Sequence, residues 1–181
     1  LLDTKKRVIL LGFAFLLLLL LSSFENSVFF RILGEVLQNQ LLAIGMLFLH
    51  NILVVSLILV GMTFYVNLVV LNFFKKEKYA QIVLEHPRTF AIVFTFMIIF
   101  LSILRGSTLL YGGIRFETLP LILLISAPIG IVEGYGVYLT INRTLSRSIS
   151  TKELAYIYGI FFIAAIMEVG FINLLLRISG G

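Results

Sequence analysis

The sequence predicts an all-α protein, a polytopic transmembrane helical bundle of about five spans with an amphipathic helix outside the membrane. Three observations lead there. Hydrophobic residues make up 60% of the 181 positions, and the mean hydropathy is +1.11. Charged residues are only 13%, too few to clothe a water-soluble domain of this size. The charges that exist collect between five apolar runs, candidates for the helices of about 20 residues that cross hydrocarbon.

The runs are taken in order. Residues 8–22 follow Lys5, Lys6 and Arg7, a basic start that a signal peptide shares. No small-x-small cleavage pattern follows, so this run is read as a retained first span. The chain opens on Leu1 rather than methionine, which predicts that a few residues precede it, and Ser179-Gly180-Gly181 has the composition of an added tail. The second span is residues 41–74, which carry no charge. Upright, that run would reach roughly 50 Å against a hydrocarbon core of about 30 Å. One long helix, rather than two crossings, keeps Lys75, Lys76 and Lys78 on the same side as the amino terminus; Gly61 is the place for a break if there is one. The third span, 89–104, starts after Pro87, the fourth is 119–141 and the fifth 154–176, all in one integral membrane domain.

Between the first two spans, Phe29, Ile32, Leu33, Val36 and Leu37 recur at helical spacing among polar neighbours. Residues 27–40 are therefore expected to form the amphipathic helix, with Ser27 as cap, lying on the outer surface or over the mouth of the bundle. Residues 105–118, with three glycines, read as an outer loop.

Basic residues orient the chain. Lys5, Lys6, Arg7, Lys75, Lys76, Lys78, Arg88, Arg143, Arg147 and Lys152 fall on one side, against Arg31, Arg105, Arg115 and Arg177 on the other. The expectation is a multi-pass protein of the cell membrane, amino terminus cytoplasmic and carboxy terminus outside. The same distribution speaks against nucleic acid as partner despite the formal charge of +5. The sequon at Asn142 is cytoplasmic in this topology and stays unused. The chain has no cysteine, which excludes disulfides, thiol catalysis and thiolate metal sites.

Within the spans stand Glu133, Glu168 and the pair His50-Asn51. Ionisable groups at this depth face protein or water, where they either hold helices together or carry function. Counting about 1.5 Å per residue, Glu133 and Glu168 lie about 21 Å from the starts of their antiparallel spans, and His50 about 14 Å from the outer end of its own. That predicts His50 and Glu168 at one level, with Asn51 and Asn173 beside them. It places Glu133 a turn or two deeper, near Tyr135, Tyr138 and Asn67. One histidine and two glutamates at different depths make no metal site, and Ser56 and His50 lie on different faces of one helix, so neither a metal, a cofactor nor a catalytic set is expected.

Gly130-x-x-x-Gly134, with Gly136, is a small-residue pattern that lets helices approach closely, and Pro128 frees the carbonyl of Leu124 and permits a kink. Residues 131–135 and 166–170 echo one another 35 positions apart, too briefly to establish an inverted repeat.

Three stretches resemble the stage II sporulation protein M family, small membrane proteins of bacteria and archaea. Phe48-Leu49-His50-Asn51-Ile52-Leu53-Val54 is similar to its aromatic-and-asparagine opening of a long apolar helix. Pro128-Ile129-Gly130-Ile131-Val132-Glu133 matches its Pro-His-Gly-Ile-x-Glu motif except at the second position. Ala164-Ala165-Ile166-Met167-Glu168-Val169 is similar to its small-residue run ending in glutamate. The three follow the family's order over about 120 residues. Ile129 stands where the family usually has histidine, so no role of that histidine carries over. The resemblance implies a helical bundle acting as a scaffold or assembly factor without catalytic activity, binding protein partners at its outer face. The competing reading is a small proton-coupled transporter, working as a homodimer, with Glu133 and Glu168 as its protonatable groups.

Overall fold

The computed structural model describes residues 13, 17, 20, 24, 28, 29, 32, 33, 35–70, 78–111 and 116–178. No strand occurs among them. The helices are α1 (Gln40–Val70), α2 (Lys78–Glu85), α3 (Pro87–Tyr111), α4 (Leu119–Leu145) and α5 (Thr151–Ile178), with a 3-10 turn at Phe116–Thr118 before α4. The chain divides into two compact units, residues 1–46 and 47–181.

In the first unit, most of the expected span 8–22 lies outside the described residues; Phe13, Leu17 and Leu20 are helical and exposed. Ser27 is likewise outside them. Of the expected amphipathic helix, Phe29 and Leu33 are helical and buried, whereas Val28 and Ile32 are helical and exposed. The periodicity ends in a turn at residues 37–39, where Asn39 starts the next helix. Its carbonyl accepts from the Ala43 amide (2.9 Å) and its Oδ1 from the Leu42 amide (3.3 Å), so Asn39 is the N-cap of α1.

α1 runs unbroken for 31 residues, about 46 Å, past Gly61, which faces open space. In the second unit its buried side is Leu47, Asn51, Val55, Val66 and Val69, a helical stripe, while Leu53, Leu57, Val60 and Phe64 point outward. α2 went unread in the sequence because it is short and lies in a charged connection. Its Val83 and Leu84 nevertheless pack onto the core. Pro87 stops it: proline lacks the N–H and its ring clashes with the preceding turn. The same residue then serves α3 at its first position, where His86 supplies the carbonyl that accepts from Phe90 (3.1 Å).

α3 corrects the expected outer loop at 105–118, for it continues to Tyr111. A helix does not end where the apolar run ends, and one internal glycine, Gly106, costs only about 1 kcal/mol. Similarly, α4 extends four residues past the predicted end of its span, and α5 begins three residues earlier than predicted.

The core of the second unit is made by Val55 of α1, Ala91 of α3, Val137, Ile141 and Leu145 of α4, and Ile157 and Phe161 of α5, together with Val66. α4 packs most extensively against α3 and α5, which makes it the central helix of the second unit. Phe48 and Phe162 meet edge to face, centroids 5.1 Å apart, and fasten α1 to α5.

The outward surface is apolar. Besides the α1 residues named above, Phe96 and Phe100 on α3, Ile131 on α4 and Phe162, Ile163 and Ile166 on α5 are all exposed. Two helices, Gln40–Val70 and Thr151–Asn173 within α5, are long and apolar enough to cross a membrane. Of their most apolar eighteen residues only 22% and 33% are buried, unlike the central helix of a water-soluble core. Such a surface is compatible with lipid and costly in water.

Candidate functional site

The site sits where α4 meets α1 and α3. α4 buries Gly134, Val137, Thr140, Ile141, Thr144 and Leu145 along one helical stripe, with Gly136 beside it. Its two buried threonines cause no deficit, because each hydroxyl donates to the carbonyl four residues back: Thr140 to Gly136 at 2.8 Å and Thr144 to Thr140 at 2.7 Å.

The glycines divide by face. A Cβ built on Gly136 would stand 2.5 Å from the Phe161 ring, and one on Gly134 would stand 2.7 Å from Ile99 Cδ1. These two glycines let α5 and α3, respectively, close on α4. Gly130 faces open space, so the Gly130-x-x-x-Gly134 pattern does not act as a pair; the contact uses Gly134 and Gly136 instead. Two residues apart on a helix is about 200°, which is why they serve different neighbours. Pro128 lies within α4 on an exposed side.

Glu133, half-buried, accepts a hydrogen bond from the Asn51 amide, Nδ2 to Oε1 3.4 Å. Asn51 itself is 9% exposed. This corrects the partners expected from depth, which put Asn51 with His50 and Glu168 and left Tyr135, Tyr138 and Asn67 for Glu133. Asn67 is exposed, and Asn173 turns back to its own helix, donating to the Val169 carbonyl at 2.9 Å. Rise per residue predicts level only if every run starts at one plane, and a shift of about one turn is enough to exchange partners. His50 and Glu168 are both half-buried.

A second polar contact between helices was not anticipated: Ser56 Oγ and the Tyr158 hydroxyl are 3.1 Å apart, joining α1 to α5. Serine and tyrosine in apolar runs are common enough to give no signal before the helices are placed. On α3, Thr95 is buried beside Gly134, and its Oγ1 has no hydrogen-bond partner among the described residues. No three His, Asp or Glu side chains among the described residues gather closely enough to hold a metal ion.

The far end of α4 is closed by hydrogen bonds of its own. The Arg147 amide donates to Thr144 O and the Ser148 amide to Arg143 O, both 3.0 Å, with Arg147 at φ 52°. That pattern is the Schellman termination, with arginine in the left-handed position usually held by glycine. Three residues on, Ser150 and Glu153 cap α5 reciprocally: the Glu153 amide donates to Ser150 Oγ (3.3 Å), and Ser150 N donates to Glu153 Oε2 (3.0 Å). Glu153 Oε1 also pairs with Arg143 Nε at 3.2 Å, tying the two helix ends together. The S-x-x-E spacing was present in the sequence and marks this helix start.

Compared with known proteins, the chain matches no protein-family model, no curated protein and no solved structure.

Proposed function

We propose that this chain is a multi-pass integral membrane protein that acts as a non-catalytic scaffold, of the kind the stage II sporulation protein M resemblance implies. Its amino terminus is cytoplasmic and its carboxy terminus outside. The observation that carries the reading is the Asn51–Glu133 hydrogen bond. It joins a residue of the first resembling stretch to the glutamate of the second, and it uses the carboxylate to hold α1 against α4. Ser56 and Tyr158 do the same between α1 and α5. Polar side chains that bond across helices add to close packing in holding a bundle together in lipid, where apolar burial supplies no drive. The outward apolar faces and the one-sided basic residues support the membrane setting. Partners would then bind outside the hydrocarbon, at the outer face.

The test compares Glu133→Gln, Glu168→Gln and Glu133→Leu. Glutamine still offers a carbonyl to Asn51, so a scaffold should keep its thermal stability and its cellular phenotype in both Gln variants and lose stability in Glu133→Leu. The reading fails if the Gln variants fold normally yet lose the phenotype, and lose a pH-dependent solute flux that the reconstituted wild type shows. That outcome would establish the proton-coupled carrier instead.

A further inference from the structure

We propose that the turn between α4 and α5 binds the headgroup of an anionic phospholipid, with Arg147 and Lys152 as its cationic contacts. The inference rests on the membrane reading above and adds a ligand to it.

The charges of the turn are unequally committed. From Arg143 to Glu153 there are three basic side chains and one acidic. The acid is already engaged: Glu153 takes Arg143 on one oxygen and Ser150 on the other. Arg147 and Lys152 are exposed, and neither forms an ion pair among the described residues. Two uncompensated cations therefore stand on one short turn.

Position selects the anion. The apolar part of α5 begins at Leu154, directly after the turn, and Tyr156 is 59% exposed, an aromatic at the level where such rings mark the membrane boundary. In a bilayer the turn lies among phosphodiesters. An arginine guanidinium matches a phosphate's oxygens with two parallel N–H donors, and a nearby lysine adds a point charge. The backbone by itself favours glycine at position 147, since a side chain at φ 52° is strained. A residue that costs stability where glycine would relieve it is one whose side chain has a use.

The experiment uses the purified full chain in neutral detergent, titrated with phosphatidylglycerol or phosphatidylcholine and followed by native mass spectrometry. Wild type should prefer the anionic lipid. Each basic side chain near a charged membrane contributes about fivefold, so Arg147→Gly with Lys152→Gln should weaken phosphatidylglycerol binding by about 25-fold. Arg147→Gly alone should weaken it about fivefold while raising the thermal midpoint in detergent without lipid. Arg147→Lys should stay within a few fold of wild type. Inorganic phosphate at millimolar concentration should not compete. The proposal is overturned if the double variant retains the lipid preference, if phosphatidylcholine binds equally, or if free phosphate displaces the lipid. A carbonate wash of liposomes separates the two failures: protein that washes off sinks the membrane reading itself, whereas protein that stays inserted without lipid preference sinks only this inference.

Discussion

Gly136 and the ring of Phe161 are in such close contact that α4 and α5 have no room for a methyl group between them; a Cβ at Gly136 would meet the ring at 2.5, 2.8 and 3.2 Å. Phe161 is 3% exposed and flanked by buried Ile160, Ala164 and Ala165, so the ring cannot simply swing aside.

Gly136→Ala should therefore destabilise the fold by about 1–3 kcal/mol, the usual cost of overpacking. Gly130→Ala is the matched control: it lies on the same helix with open space around it and should be neutral or stabilising by about 0.5–1 kcal/mol. Thermal unfolding in detergent reads both. Shortening the ring, as in Gly136→Ala with Phe161→Leu, should recover part of the loss. Equal effects at positions 130 and 136 would contradict the assigned faces.

The hydrogen bond from Asn51 to Glu133 should appear as a coupling energy. Bonds of this kind between membrane helices average about 0.6 kcal/mol and reach about 1.7. Asn51→Leu should cost about 1 kcal/mol in wild type and less in the Glu133→Leu background, where the acceptor is gone. A double-mutant cycle over the four proteins measures the difference. A cycle that closes to zero would mean the two side chains do not interact.

Capping at α5 gives a sharper separation of effects. Ser150→Ala removes the acceptor for the Glu153 amide and should cost about 1 kcal/mol, up to about 2. Glu153→Gln keeps an oxygen for the Ser150 amide and loses only the charge facing Arg143. That pair is part-exposed, so its loss should cost no more than a few tenths of a kcal/mol and should fade with salt. A larger effect of Glu153→Gln than of Ser150→Ala would show that the ion pair, rather than the cap, joins these helices.

Hydropathy made the apolar helices legible, and it did so because outward residues such as Leu57, Phe64 and Ile163 are as apolar as the inward ones. The same uniformity hid which face of each helix is inside. Nothing in the composition of α4 says that Gly134 and Gly136 are in contact while Gly130 is open. Helix ends were misplaced for a different reason. They are set by Asn39, Pro87, Arg147 and the Ser150–Glu153 pair through hydrogen bonding, while hydropathy reports only where the lipid-compatible stretch lies. Glu133, Glu168, His50 and Asn51 stood out at once as polar residues in apolar runs. That Asn51 would partner Glu133 did not, because axial level depends on how helices slide against one another.

Thr95 tests the interior most directly. It is 8% exposed, its methyl lies towards Gly134, and its hydroxyl has no hydrogen-bond partner among the described residues. A buried hydroxyl without a partner costs about 1–3 kcal/mol, whereas an apolar group of the same shape in its place is free of that cost. Thr95→Val preserves the shape and the contact with α4, so it should leave the thermal midpoint unchanged or raise it. Thr95→Ala removes the methyl as well and should lower it, because α3 and α4 then lose packing where Gly134 brings them together. If Thr95→Val instead lowered the midpoint as much as Thr95→Ala does, the hydroxyl would have to be bonded, most simply by rotating to the Ala91 carbonyl one turn back.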